Sequence, residues 1–166
     1  MNNKIAIIGL GYVGLPLAIE FFKKYETYGF DINQNRIEEL NQGVDITGEA
    51  SKRNIQSSIK LTFTSNSADI SKCNIFIVAV PTPIDSKNKP DLKILFNATK
   101  LVGKLLKNKD LVIYESTVYP GCTEEDCIPI LEKYSELKYN KDFYCGYSPE
   151  RINPGDKTNT ITKIKK

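Results

Sequence analysis

Short apolar segments alternate with amphipathic segments along the chain. Residues 75–80 form an uninterrupted apolar run rich in β-branched side chains, which is typical of a strand buried on both faces. Residues 92–106 carry apolar side chains at helical spacing, with most lysines on the opposite face. Strands that alternate with helices favour a parallel sheet covered on both sides.

Six strands and six helical segments are predicted in this alternation. The predicted strands are 4–8, 27–30, 61–64, 75–80, 111–115 and 142–147. The predicted helices are 15–24, 34–41, 49–57, 68–72 (a short turn), 92–106 and 123–134. Pro129 lies within the last of these and must either kink that helix or delay its start. The expected fold class is α/β: a doubly wound, Rossmann-like, mainly parallel six-stranded sheet with helices on both faces.

The composition is that of an ordinary globular domain. Of 166 residues, 40% are hydrophobic and 26% are charged, which excludes wholesale disorder. The longest apolar runs are too short to cross a bilayer, and the N-terminus has no signal region, so we expect no membrane association and a cytoplasmic location. The net charge of +3 comes from scattered lysines, so we expect no nucleic-acid partner.

Histidine is absent, which excludes a Ser-His-Asp triad, a Cys-His pair and a His-ligated zinc site. The cysteines are Cys73, Cys122, Cys127 and Cys145, and none forms a Cys-x-x-Cys pair. We therefore expect buried thiols and no metal site.

A glycine-rich pattern, Gly-Leu-Gly-Tyr-Val-Gly at residues 9–14, lies between the first predicted strand and the first predicted helix. Gly9 permits a tight turn, Gly11 leaves room for a pyrophosphate, and Gly14 lets helix and strand pack closely. The N-terminus of the helix adds free N–H groups and a partial positive charge. The pattern predicts a phosphate-binding loop.

An acidic residue, Asp31, follows the second predicted strand, 22 residues after Gly9. A carboxylate there can accept hydrogen bonds from adenosine ribose hydroxyls and would repel a 2′-phosphate, which favours NAD over NADP. The alternative is a simple N-cap of the next helix. Arg36 lies either near the adenosine end or on an exposed helix face, and the sequence leaves both open.

Three more segments, 80–83, 115–121 and 147–151, lie at the carboxyl ends of later predicted strands, where open α/β sheets bind ligands. They read Val-Pro-Thr-Pro, Glu-Ser-Thr-Val-Tyr-Pro-Gly and Tyr-Ser-Pro-Glu-Arg. With the glycine loop, in this order, they resemble the N-terminal NAD-binding domain of the UDP-glucose/GDP-mannose dehydrogenase family over essentially the whole chain. Residues 148–156 are most similar to the branch acting on UDP-N-acetylhexosamines for surface polysaccharides such as capsule.

The resemblance implies a role for each matching residue. Cofactor-binding roles fall on Gly9, Gly11, Tyr12, Val13, Gly14, Asp31, Arg36, Val80, Pro81, Thr82, Ser116 and Thr117. Catalytic roles fall on Thr117, which helps hold a water, and on Glu150, which assists hydrolysis of a covalent intermediate; Glu150, Arg151 and Ile152 lie along the nucleotide-sugar path. The implied reaction oxidises the sugar C6 alcohol to a carboxylate with two NAD, through a cysteine thioester.

The resemblance also implies a division of the chain. Residues 1–153 are expected to form the NAD-binding domain, and residues 154–166 a polar tail leading to absent central and UDP-binding domains. Because the family's nucleophilic cysteine lies in those domains, we expect this chain to be an inactive fragment of a homodimeric enzyme that shares its UDP-sugar substrate with them.

Several alternatives remain open at this point. The chain could belong to a UDP-glucose 6-dehydrogenase, to a 3-hydroxyacyl or 6-phosphogluconate type of NAD-linked oxidoreductase, or to a non-catalytic NAD-binding regulatory module. Thr117 could merely end a strand, Glu150 could form a surface ion pair, and the prolines could only punctuate turns. Among N-acetylgalactosamine, N-acetylglucosamine and N-acetylmannosamine, the substrate epimer is open.

Overall fold

The computed structural model describes residues 3–57, 61–84 and 86–151. Its described strands form one six-stranded sheet in the order β3-β2-β1-β4-β5-β6, and each neighbouring pair is parallel. The strands are β1 (Lys4–Ile8), β2 (Glu26–Phe30), β3 (Thr62–Thr64), β4 (Ile75–Val78), β5 (Leu111–Tyr114) and β6 (Tyr144–Tyr147). The predicted doubly wound fold is confirmed.

Helices connect the strands close to the predicted positions. They are α1 (Gly14–Phe22), α2 (Gln34–Asn41), α3 (Lys52–Ser57), α4 (Ser67–Ile70), α5 (Lys93–Leu105) and α6 (Ile128–Ser135), with a π-helical segment at Thr123–Cys127. The predicted helix at 49–57 is observed only from Lys52, because residues 49 and 50 belong to a turn described below. Among the described helices, none has the length and apolar character needed to cross a membrane.

The sheet is buried on both faces, so the chain has two hydrophobic cores. Along β1, Ala6 and Ile8 enter the core under α5 and α6, whereas Ile5 and Ile7 enter the core under α1 and α2. Alternate strand residues point to opposite faces, and both faces are covered here. This explains why the strands appear in the sequence as continuous apolar runs.

Pro129 lies in the first turn of α6, where its missing N–H is not needed. The preceding residues, Thr123–Cys127, form a π-helical turn that leads directly into α6. The helical segment therefore begins at the predicted position, but as a π-helical turn, and only its α-helical part is confined to the residues from Ile128 onward.

The order of the strands places a crevice at the carboxyl edge of the sheet. β1 lies between β2 and β4, so the chain winds away from β1 in both directions. The loops after β1, β2, β4, β5 and β6 all leave the sheet at this edge. Ligands of open α/β sheets bind at this point of reversal.

Candidate functional site

A cleft of about 720 Å³ opens at this edge and continues into a smaller hollow of about 240 Å³. Gly11, Thr47, Val80 and Pro81 line both parts and mark their junction. Of the predicted residues, the larger part also contains Gly9, Asp31 and Arg36, and the smaller part contains Tyr12, Val13, Thr82, Ser116, Thr117 and Glu150. Gly14 and Arg151 do not line either part, and Ile152 lies outside the described residues.

Three glycines shape the loop after β1. Gly9 has a φ of +93°, and a Cβ there would lie 2.9 Å from the carbonyl oxygen of Ala79. At Gly14 a Cβ would lie 1.8 Å from the carbonyl oxygen of Gly9, so this glycine permits contact between helix and loop. At Gly11 a Cβ would meet nothing within 4 Å, and the residue borders both parts of the cleft. The backbone at Gly11 is therefore open to a ligand.

Asp31 turns its carboxylate back towards the glycine loop. Its Oδ2 accepts a hydrogen bond from the Leu10 amide at 2.9 Å, and its Oδ1 accepts from the Asn33 amide at 2.9 Å. The N-cap of α2 is Asn33, whose side chain accepts from the Asn35 and Arg36 amides. The alternative that Asp31 is a simple helix cap is therefore wrong.

Arg36 is buried, with 7% of its surface exposed. Its Nε and Nη2 donate to the Leu10 carbonyl at 3.0 and 2.9 Å, and Nη2 also pairs with Asp45 at 2.7 Å. The alternative of an exposed helix arginine is therefore wrong. Arg36 therefore lines the larger cleft and stabilises the glycine loop through its hydrogen bonds to the Leu10 carbonyl.

Two hydroxyl groups tie together the loops that follow β4 and β5. The Ser116 hydroxyl donates to the Val80 carbonyl at 2.7 Å, and the Thr82 hydroxyl donates to the Thr117 carbonyl at 2.5 Å. These crossed bonds fix the loop of Thr117, which lines the smaller hollow together with the half-buried Glu150. That hollow thus brings a hydroxyl and a carboxylate to one place, next to the junction of the cleft.

The larger cleft has an apolar rim that was not predicted from the sequence. Ile32, Ile46 and Ile94 line it although they are 81%, 71% and 40% exposed. Ile94, Ala98 and Leu101 of α5 all face this cleft. Because these residues are spaced four and three positions apart, they form a second apolar stripe on α5. This stripe is the sequence feature from which the apolar rim could have been predicted. Thr47 and the buried Glu115 also line the site and were not predicted.

The four thiols lie apart from this chemistry. Cys73, Cys122 and Cys127 are buried and Cys145 is partly buried. Burial raises the pKa of Cys73, Cys122 and Cys145 to about 12, and it also raises the pKa of Cys127. Within the described ranges, no group of His, Cys, Asp and Glu side chains is arranged to hold a metal ion.

We expect the folded chain to resist thiol reagents. At about pH 8 a thiol with a pKa near 12 is roughly one part in ten thousand thiolate, and the thiolate is the reacting form. Iodoacetamide labelling followed by mass spectrometry should show slow modification of the native chain and rapid modification of all four cysteines after unfolding. Glutathione in the same tube is the reference, and a native cysteine that reacts as fast as glutathione would contradict this.

Comparison with known proteins identifies the domain. The profile of the UDP-glucose/GDP-mannose dehydrogenase family, NAD binding domain, matches residues 3–166. The chain belongs to this family. The resemblance noted from the sequence motifs is confirmed, and NAD is the cofactor of the matched domain.

Relatives and solved structures agree with this assignment. The chain is 60% identical to a UDP-N-acetyl-D-glucosamine 6-dehydrogenase of Pseudomonas aeruginosa over 98% of its own length and 39% of the relative. It is 53% identical to the protein CapL of Staphylococcus aureus, covering all of this chain and 39% of CapL. The UDP-D-ManNAc dehydrogenase of Pyrococcus horikoshii superposes with a TM-score of 0.87 at 36% identity, covering 96% of this chain and 38% of that one.

Proposed function

We propose that this chain is the cofactor domain of a nucleotide-sugar 6-dehydrogenase that oxidises the C6 alcohol of a UDP-N-acetylhexosamine to a uronic acid with two NAD. The 60% identity to a UDP-N-acetyl-D-glucosamine 6-dehydrogenase carries this proposal. Because the chain spans about two fifths of that relative, the complete reaction requires further domains. Residues 1–153 are the proposed cofactor unit, and residues 154–166 lead towards those domains.

The cleft fits NAD in size and in its polar groups. Gly11 offers open backbone where a diphosphate would cross from the larger part into the smaller one. Asp31 would accept from the adenosine ribose, and Arg36 would flank it. Cofactor contacts are proposed for Gly9, Gly11, Tyr12, Val13, Asp31, Arg36, Val80, Pro81, Thr82, Ser116 and Thr117, whereas Gly14 serves the packing of the loop. Bound NAD supplies the hydride acceptor.

The smaller hollow is the proposed place of reaction. Thr117 and Glu150 both line it, and a carboxylate beside a hydroxyl can orient a water and accept its proton. Such a water would cleave the thioester that forms after the second oxidation and release the uronic acid. Arg151, next along the chain, is proposed to lie on the path of the nucleotide sugar together with Ile152.

The buried thiols support a division of labour between domains. The thiol groups of this chain are shielded and their pKa values are raised, so they are poor candidates for the nucleophile that captures the sugar aldehyde. The proposal therefore places that cysteine in a further domain. We also propose that the full-length enzyme is a homodimer and that it is located in the cytoplasm. Its product would be used in a surface polysaccharide such as capsule.

The test joins this chain to the C-terminal domains of the Pseudomonas aeruginosa relative. We expect the hybrid to form two NADH per UDP-N-acetylglucosamine, with UDP-glucose a poorer substrate, while the 166-residue chain alone binds NAD without forming NADH. Glu150→Gln in the hybrid should lower kcat by about a hundredfold while NAD affinity stays unchanged, because an oriented general base contributes about 10²–10⁴-fold. NAD binding by a hybrid that oxidises none of these UDP-sugars would contradict the proposal.

A further inference from the structure

A buried carboxylate organises one wall of the cofactor cleft. The side chain of Asp45 is 0% exposed and lies in the turn that follows α2. Its Oδ1 accepts from the amide of Thr47 at 3.0 Å and from the Thr47 hydroxyl at 2.7 Å. Its Oδ2 accepts from the amides of Glu49 and Ala50, both at 2.9 Å. One carboxylate thus closes the whole turn from residue 45 to residue 50.

The same carboxylate reaches the glycine loop through a second side chain. Asp45 Oδ1 pairs with Arg36 Nη2 at 2.7 Å, and the Arg36 guanidinium donates twice to the Leu10 carbonyl. The Leu10 amide in turn donates to Asp31. The N–H and the C=O of Leu10 are therefore both hydrogen-bonded. The N–H donates to Asp31, and the C=O accepts from Arg36, which is itself paired with Asp45.

The turn contributes directly to the cleft. Ile46 lines the larger part, and Thr47 lines both parts at their junction. Glu49 and Ala50, which bond to the other carboxylate oxygen, do not line either part. Asp45 itself does not line the cleft, so any effect it has on a ligand must pass through its neighbours.

We propose that Asp45 is a positioning residue for NAD, which fixes the turn at 45–50 and, through Arg36, the backbone of the glycine loop. The inference rests on NAD binding by this domain. Burial alone would raise the pKa of Asp45, but hydrogen bonds from Thr47, Arg36 and Ala50 outweigh burial and lower it. The carboxylate is consequently ionised at neutral pH and matches the donors that surround it.

An asparagine in place of Asp45 cannot reproduce this arrangement. Each carboxylate oxygen accepts from two or more donors, so the NH₂ group of the substituted amide would face N–H donors in either orientation. Asp110, at the opposite edge of the sheet, provides the matched control. Its Oδ2 accepts from the Lys107 amide at 2.8 Å, and an asparagine can present its own oxygen to that N–H.

The experiment compares Asp45→Asn, Asp110→Asn and the unchanged chain by calorimetric titration with NAD and by amide hydrogen exchange. For Asp45→Asn we expect the Kd for NAD to rise about tenfold, within the roughly 5–150-fold range typical of coupling between a distant group and a binding site. Exchange should be faster at Thr47, Glu49, Ala50 and Leu10. Asp110→Asn should leave both the Kd and these four amides unchanged.

Two outcomes overturn the inference. One is a Kd within about twofold of the unchanged chain; the other is faster exchange at the turn alone with Leu10 unaffected, which is the signature of a purely local role. If Asp45→Asn does not fold, hydrogen exchange of the unchanged chain with and without NAD tests the inference instead. Coupling between two sites is reciprocal, so bound NAD must slow exchange at the amides of Glu49 and Ala50. Absence of that protection contradicts the inference, whereas failure of the unchanged chain to bind NAD contradicts the assignment of the cofactor.

Discussion

Replacing Gly14 with alanine is expected to lower the free energy of unfolding by about 3 kcal/mol or more. Overpacking usually costs about 1–3 kcal/mol, and the added Cβ would lie much closer to the Gly9 carbonyl than van der Waals contact allows. The new Cβ would lie 1.8 Å from the carbonyl oxygen and 2.9 Å from the carbonyl carbon of Gly9. A hydrogen bond from the Gly9 amide to the Phe30 carbonyl, at 2.8 Å, opposes a shift of the Gly9 backbone away from the new atom. Denaturant unfolding monitored by circular dichroism measures the change.

Gly11→Ala is the matched control, and it should behave in the opposite way. An added Cβ at Gly11 meets no atom within 4 Å, so stability should stay within about 1 kcal/mol of the unchanged chain. The same Cβ projects where a diphosphate would approach, so the Kd for NAD should rise at least about tenfold. If Gly14→Ala proves as stable as Gly11→Ala, the described contact between helix and loop is wrong.

Asp31→Ala should change the choice between NAD and NADP. Loss of the proposed acceptor for the ribose hydroxyls should weaken NAD binding by about tenfold or more, because hydrogen bonds to a charged group contribute about 1.5–3 kcal/mol. Loss of the negative charge should also remove repulsion of a 2′-phosphate. The ratio of the two dissociation constants, measured by titration with each nucleotide, should shift towards NADP by about a hundredfold.

Glu38→Gln is the control for charge alone, since Glu38 is exposed on α2 and lies outside the cleft. In Glu38→Gln the ratio of the dissociation constants for NAD and NADP should stay unchanged. Asp31 also accepts from the Leu10 amide, and loss of that bond would disturb the loop for both nucleotides equally. An equal weakening of NAD and NADP in Asp31→Ala would therefore show that Asp31 acts on the loop and not on the ribose.

The elements of the fold could be predicted from local pattern, but their ends could not. The apolar run at 75–80 predicts a strand of six residues, whereas β4 ends at Val78 and the next two residues form the floor of the crevice. Both parts of the run are apolar because both pack in or against the cores, although Ala79 and Val80 also line the cleft. Composition alone does not separate these two environments.

Within the site, the residues with a motif could be predicted and those positioned by packing could not. Gly11 and Asp31 belong to a pattern with a known physical reason, and both lie in the cleft. The partnership of Arg36 with the Leu10 carbonyl joins residues 26 apart along the chain. Its geometry depends on how α2 packs on the sheet, which no local pattern records. Asp45 was missed because a lone acidic residue in a polar loop resembles solvated surface.

Three isoleucines give the larger cleft an exposed apolar rim. Ile32 and Ile46 are more than two-thirds exposed, and Ile94 lines the same cleft. Contiguous apolar surface of this kind promotes self-association when nothing covers it. A dinucleotide bound in the cleft would cover part of that surface, so we expect the ligand-free protein to self-associate more readily than the NAD-bound form.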